Sequence, residues 1–219
     1  MPFNTAAQNI LLDALDETAT LGVKYIGIHL SSGDPGTGTN ATGTEASGGS
    51  PAYARQAVTF GSAASGQKSN TGALTFDVAA GTYAYFSMFD HITANTGNYK
   101  GYIPFGGATT IKGFAASDVI ANDKFFSAGH GLVNTNQIIA YNVFAESLPT
   151  GTGLTEGALL FVVGATTDTF QLALTSGGAA IDVTAPGEFY FQRVVPETFA
   201  AQGQITVAVG ALVLDATAM

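Results

Sequence analysis

Cysteine and tryptophan are both absent from this sequence of 219 residues, and charged side chains are scarce, at 11% of the chain against about 25% in ordinary globular domains. Without cysteine there is no disulfide framework and no thiolate metal site, so packing and association must supply the stability. The shortage of charge means a surface of Thr, Ser, Asn, Gln, Ala and Gly, and with 46% apolar residues it argues against an independently soluble monomer. Disorder is excluded for the converse reason, since it needs low hydrophobicity and high charge density. Basic residues number 7 against 16 acidic ones, a net charge of −9. That balance repels phosphate backbones and leaves no cationic face from which counterions could be released, so no nucleic-acid partner is expected. No apolar run is long enough for a signal peptide or a membrane span, and a chain made and folded in the cytoplasm, without membrane insertion, is expected.

What is present in abundance is glycine, 28 residues, arranged with short apolar runs. Thr5 and Gln8 form a capping box, and Ala7, Ile10, Leu11, Ala14 and Leu15 recur at helical spacing, which predicts an amphipathic helix over 5–17. From Val23 to Leu30 the period falls to two, with Ile26, Ile28 and Leu30 on one face and Tyr25, Gly27 and His29 on the other. Residues 31–51 are almost wholly Gly, Ser and Thr and predict a long surface loop, in the simplest case a flexible connector that orders only against a neighbour. Beyond it, strands are predicted at 53–60, 74–78, 83–91, 99–105, 204–209 and 212–214, separated by turn-rich segments. The texture changes between 113 and 191, with further strands at 137–144, 158–163, 169–174 and 179–183.

The fold class expected is therefore mainly β: a β-sandwich or jelly-roll-like domain with an N-terminal α-helix, formed by residues 1–112 plus 192–219, and an inserted small β domain at 113–191.

Chemistry is hard to find. His29, His91 and His130 are far apart and no pair has metal-ligand spacing, so each is expected to be a surface or satisfied imidazole. No serine stands in a G-x-S-x-G elbow. Asp13, Asp16, Glu17, Glu45, Asp77 and Asp90 are glycosidase candidates by number only, and the glycine-rich run lacks the Lys-Ser/Thr of a phosphate loop. No catalytic residue, metal or cofactor is expected. The aromatic runs at Tyr83, Tyr85, Phe86 and Phe89 and at Tyr99, Tyr102 and Phe105 are core packing in the simplest reading. Their functional alternative is a platform for a sugar ring or a partner subunit. The candidate interaction surface is thus Asp34, Pro35 and Gly36 in the loop with Tyr83, Tyr85, Tyr99 and Tyr102.

The order of pieces also carries a resemblance. An amphipathic N-terminal segment is followed by a strand running into Gly33-Asp34-Pro35-Gly36, a Gly-Ser loop, the Tyr53-Ala-Arg-Gln-Ala-Val58 run, the Val78-Ala-Ala-Gly-Thr82 turn, and Glu197 to Val207. This order resembles a family of small phage proteins described as minor tail or tail-fibre proteins. The middle segment, through Gly129-His130-Gly131-Leu132 and Thr167 to Asp182, is similar to a small β module of phage tail and fibre proteins, which implies that His130 is a turn residue.

The resemblance implies a structural component of a bacteriophage virion, acting by assembly with other virion proteins and not as an enzyme. A capsid decoration protein of the head, and a carbohydrate-binding module for a host cell-surface glycan, are the alternatives. Short strands with few edge lysines, under a weakly charged surface, predict a homo-oligomer. That it is a trimer rests on the resemblance alone.

Overall fold

The structure is a computed structural model that describes residues 6, 9, 10, 12, 13, 22–106, 112–115, 122–142 and 148–215. It is mainly β, with several sheets, consistent with a β-sandwich. Two compact units are present: Met1–Ile103 with Pro196–Met219, and Pro104–Val195.

The first unit carries β1 (Tyr25–Leu30), β2 (Gln56–Ala57), β3 (Gln67–Ser69), β4 (Leu74–Val78), β5 (Gly81–Phe89) and β6 (Tyr99–Pro104). Next come β7 (Lys112–Ala115), β8 (Phe125–Phe126), β9 (Gln137–Asn142), β10 (Thr150–Gly151), β11 (Leu159–Val163), β12 (Thr169–Ala173), β13 (Val183–Ala185) and β14 (Glu188–Val194). The chain then returns to the first unit with β15 (Glu197–Phe199), β16 (Gly203–Val207) and β17 (Val213–Asp215).

In the first unit β1 and β5 pair antiparallel, with Ile26 opposite Met88, Gly27 opposite Ser87, Ile28 opposite Phe86 and His29 opposite Tyr85. β15 and β6 both pair with β5. A period of two thus creates two faces. The face bearing Ile26, Ile28 and Phe86 is met by the β4–β16 pair, whose Leu74, Phe76, Val78, Ile205 and Val207 point inward while Thr75, Gln204 and Thr206 are exposed. Phe76 and Phe86 mark that contact, their ring centroids 6.4 Å apart. Asn70, nearly fully buried, ties this layer to the turn between β16 and β17: its amide donates to Gly72 O and Ala208 O, and its Oδ1 accepts from Leu212 N.

The second unit is built on a six-stranded sheet in the order β7-β14-β9-β11-β12-β8. Its core holds Phe125, Phe170, Phe189 and Phe191 in edge and tilted contacts at 5.2–6.5 Å between centroids, backed by Ile138, Leu160, Val162 and Leu172. The two ends of the unit meet, because Val195 N donates to Phe105 O at 2.8 Å.

Several expectations need correction. The helix over 5–17 is not supported: most of that segment lies outside the described residues, and Ala6, Asn9, Ile10, Leu12 and Asp13 alone do not make up an element. The strand expected at 53–60 shrinks to β2 and a bridge at Phe60, because Tyr53 and Arg55 turn their side chains to Glu45 instead of continuing a ladder. β3 was hidden in a turn-like run. Its pairing partner β17 lies far along the chain, and its buried Lys68 donates to Leu12 O and Asp13, an arrangement no local pattern encodes. The strand expected at 179–183 begins only at Val183, where it meets β10. The strand expected at 137–144 is described as far as Asn142, and 143–144 lie outside the described residues. Where composition set a boundary at 191, β14 keeps pairing with β9 up to Val194, and the second unit runs to Val195.

Candidate functional site

The glycine-rich loop after β1 is held in place from within the chain. Asp34 Oδ1 accepts the Gly36 amide, closing a turn around Pro35, and Pro35 O accepts Thr42 N at 2.9 Å. Tyr99 donates its hydroxyl to Gly36 O at 2.7 Å. The Asn95 side chain bonds both the N–H and the C=O of Ala41, each at 2.8 Å, and Asn40 Oδ1 accepts Gly97 N. Further along, Leu30 N donates to Thr44 O and Ala46 N to Ile28 O, so Thr44–Ala46 continues the free edge of β1. Gln202 fastens the far end by accepting from Ser50 N and donating to Pro51 O. A flexible connector awaiting a neighbour is therefore the wrong description. Asx turns and amide side chains satisfy the backbone groups that a Gly-Ser-Thr run would otherwise leave to water.

Beneath the loop lies the most polar part of the first unit. Arg55 forms a fork on Glu45, Nε to Oε1 at 2.8 Å and Nη2 to Oε2 at 2.7 Å, and its Nη1 donates to His91 O and Ala94 O. Its guanidinium carbon sits 3.3 Å from the centroid of the Phe89 ring. Tyr53 donates to Glu45 Oε1 and accepts Ile28 N, and burial raises its pKa far above the ordinary phenol range. Gly27 is required here by space: a Cβ would lie 2.8 Å from both Glu45 Oε1 and Ser87 Oγ.

His29 shares this face. It is 1% exposed, and neither ring nitrogen has a hydrogen-bonded partner. Burial lowers its pKa to about 4, with Arg55 adding to the effect, against the opposing pull of the Glu45 carboxylate and the nearby Gly43 backbone.

Between the ordinary histidine value of 6.5 and about 4 the unfolded chain binds a proton at His29 that the folded chain refuses, so stability is complete above that window and falls as pH drops through it, by about 3 kcal/mol in all. Asp34, raised by burial, acts in the opposite sense at the acid end. Urea unfolding at pH 7, 5.5 and 4 should show this loss and His29→Gln should flatten it; parallel pH profiles for the two proteins would refute the assignment.

Of the residues expected at an interaction surface, Tyr83, Tyr85 and Tyr99 are in the core, at 2%, 0% and 5% exposure, and Pro35 is buried, while Asp34, Gly36 and Tyr102 are half-buried. The tyrosines pack on one another and on neighbours, Tyr85 edge-on to Tyr102 at 5.7 Å and Tyr99 against Phe89 at 5.6 Å. Glu45, Tyr53 and Arg55 went unrecognised in the sequence as a cluster. The available signal was that Arg55 is one of only two arginines in a charge-poor chain, ten residues after a glutamate.

Ser87, His29 and Glu45 share this buried face but make no hydrogen bonds to one another, so Ser87 has no base paired to its hydroxyl here. Among the described residues no group of three or more His, Asp or Glu could hold a metal ion. His130 accepts Leu132 N on Nδ1 and packs edge-on to Phe170, a turn-forming arrangement. Beside it, an open cleft of about 700 Å³ in the second unit is lined by uncharged residues of 129–134 and 165–167.

No curated protein and no solved structure matches the chain. The family profile described as podophage GP4 fibre I protein gp80 matches residues 2–123, more than half of the chain, ending inside the second unit. That match over more than half of a mainly β chain shows the family: the chain belongs to the podophage GP4 fibre I protein gp80 family, a phage fibre family.

Proposed function

We propose that this protein is a minor tail or tail-fibre-type component of a phage virion, made in the host cytoplasm, that works by assembling with other virion proteins and by presenting its surface to the host, not by turnover. The family match carries this reading. The charge-poor composition supports it, since a surface with few ionic groups is suited to burial against neighbours. A homo-oligomer fits the short strand edges, which closed symmetry would cover, and three copies is the number the family resemblance implies. Labelling particles with an antibody against the chain tests the placement: label on the tail appendage is expected, and label spread over the head would make it a decoration protein instead. Light scattering on the purified chain tests the association, and a stable monomer there and in the particle would refute it.

The second unit reads as a module set into the first, and the hydrogen bond between Phe105 and Val195 makes its removal simple. Replacing 106–194 by a short Gly-Ser linker is expected to leave a folded, β-rich protein with one cooperative transition. Loss of that transition would show that the first unit needs the insert to fold.

A further inference from the structure

We infer that residues 44–55 form a proton-released strap over the inner aromatic face of the β1–β5 pair, with His29 as the trigger. Gly27 and His29 of β1, with Tyr85, Ser87 and Phe89 of β5, make up this face, and the strap is what lies upon it. It is attached by Leu30 N to Thr44 O and Ala46 N to Ile28 O along one edge of β1, by Tyr53 through Ile28 N, and by Arg55 seated on Phe89 and on the carbonyls of His91 and Ala94.

The titratable and charged groups around His29 are few. The strap contributes Glu45, Tyr53 and Arg55, β5 contributes Tyr85, and β6 contributes Tyr102, which packs on Tyr85. A proton on His29 places a second cation beside Arg55 with one carboxylate, Glu45, to serve both, and that carboxylate is already committed to the Arg55 fork and to the Tyr53 hydroxyl. In the closed form neither ring nitrogen is hydrogen-bonded, only the Gly43 backbone and the committed Glu45 carboxylate favour the protonated ring, and burial denies it water. Buried charge without a partner is strongly disfavoured, so the chain must let water in or refuse the proton.

The topology makes the strap the part that yields. Glu45 and Arg55 both belong to it, so they leave together with their ion pair intact, while the contacts to β1, Phe89, the 91–94 carbonyls and Gln202 are given up. The β1–β5 ladder and the β4–β16 layer lose nothing. The segment that lifts takes Arg55 off the Phe89 ring, which is 0% exposed in the closed form. The aromatic face is thereby available only to the open state, as a two-state element biased by one proton requires.

Hydrogen exchange read by mass spectrometry on the full chain tests this. Corrected for intrinsic rates, protection of peptides covering 44–58 should fall by about 100-fold between pH 7 and pH 4, the population change that a pKa of about 4 in the closed form against 6.5 in the open one allows. Peptides of β4, β16 and the second unit should keep theirs. His29→Gln should hold the strap closed at both pH values. Unchanged strap protection in the wild type overturns the inference, as does loss of β4 and β16 protection in step with it, which would be global unfolding. Equal acid sensitivity in His29→Gln also overturns it and moves the trigger to Glu45. Should that variant fail to fold, the imidazole proton resonances of the wild type decide. Titration of His29 with the midpoint of strap opening supports the switch, and titration at the ordinary histidine value overturns it.

Discussion

Replacing Arg55 with Ala is expected to lower the unfolding free energy of the first unit by about 3–5 kcal/mol, because breaking a buried ion pair from one side leaves the other partner uncompensated. The guanidinium side chain is 5% exposed and Glu45 only 24%, so Glu45 would keep a charge with just the Tyr53 hydroxyl beside it. The carbonyls of His91 and Ala94 would lose their donor, and Phe89 would lose its cationic cover. Arg55→Lys should recover part of the loss, since an ammonium keeps the charge but cannot reproduce the two-pronged contact or lie flat on the ring. Urea denaturation followed by circular dichroism measures both. A change below about 1 kcal/mol for Arg55→Ala, the range of exposed pairs, would mean that the cluster is solvated in solution.

Phe170→Ala should be of similar size in the second unit, about 3–5 kcal/mol, the range for removing a buried aromatic ring and leaving a cavity. The ring is fully buried and touches three others: His130 at 5.1 Å, Phe191 at 5.5 Å and Phe125 at 5.7 Å between centroids. Those neighbours come from three separate stretches of chain and cannot collapse together into the space. Exchange protection of the β9 and β12 amides should fall by more than about a hundredfold. A fall of less than about tenfold would show that the site closes over the missing ring.

These two residues illustrate different degrees of legibility. Phe170 stands in a Thr-Phe-Gln-Leu run whose alternation announces a strand with Phe170 and Leu172 inward, as the structure shows. The same is true of Leu74, Phe76 and Val78 in β4, and of Tyr83, Tyr85, Ser87 and Phe89 in β5, which the period of two places on one face and the structure buries. Arg55 gave no such notice. Its partners lie 10, 36 and 39 residues away, and nothing local distinguishes an arginine in a strand-like run from a solvated one.

By itself, then, the sequence determined the β class, the strands that alternate strongly, the shortage of surface charge and the resemblance to phage tail and fibre proteins. Each of these is a property of residues within a few positions of one another, or of composition. Only the tertiary structure decided that the glycine-rich loop is pinned by Asn95, Tyr99 and Gln202, that β3 and β17 pair, that the expected aromatic platform is roofed over, and that His29 lies buried beside a charged pair. These depend on partners tens to more than a hundred residues distant, and their energies arise from the loss of water around polar groups. That loss belongs to the folded arrangement and has no signature in local order along the chain.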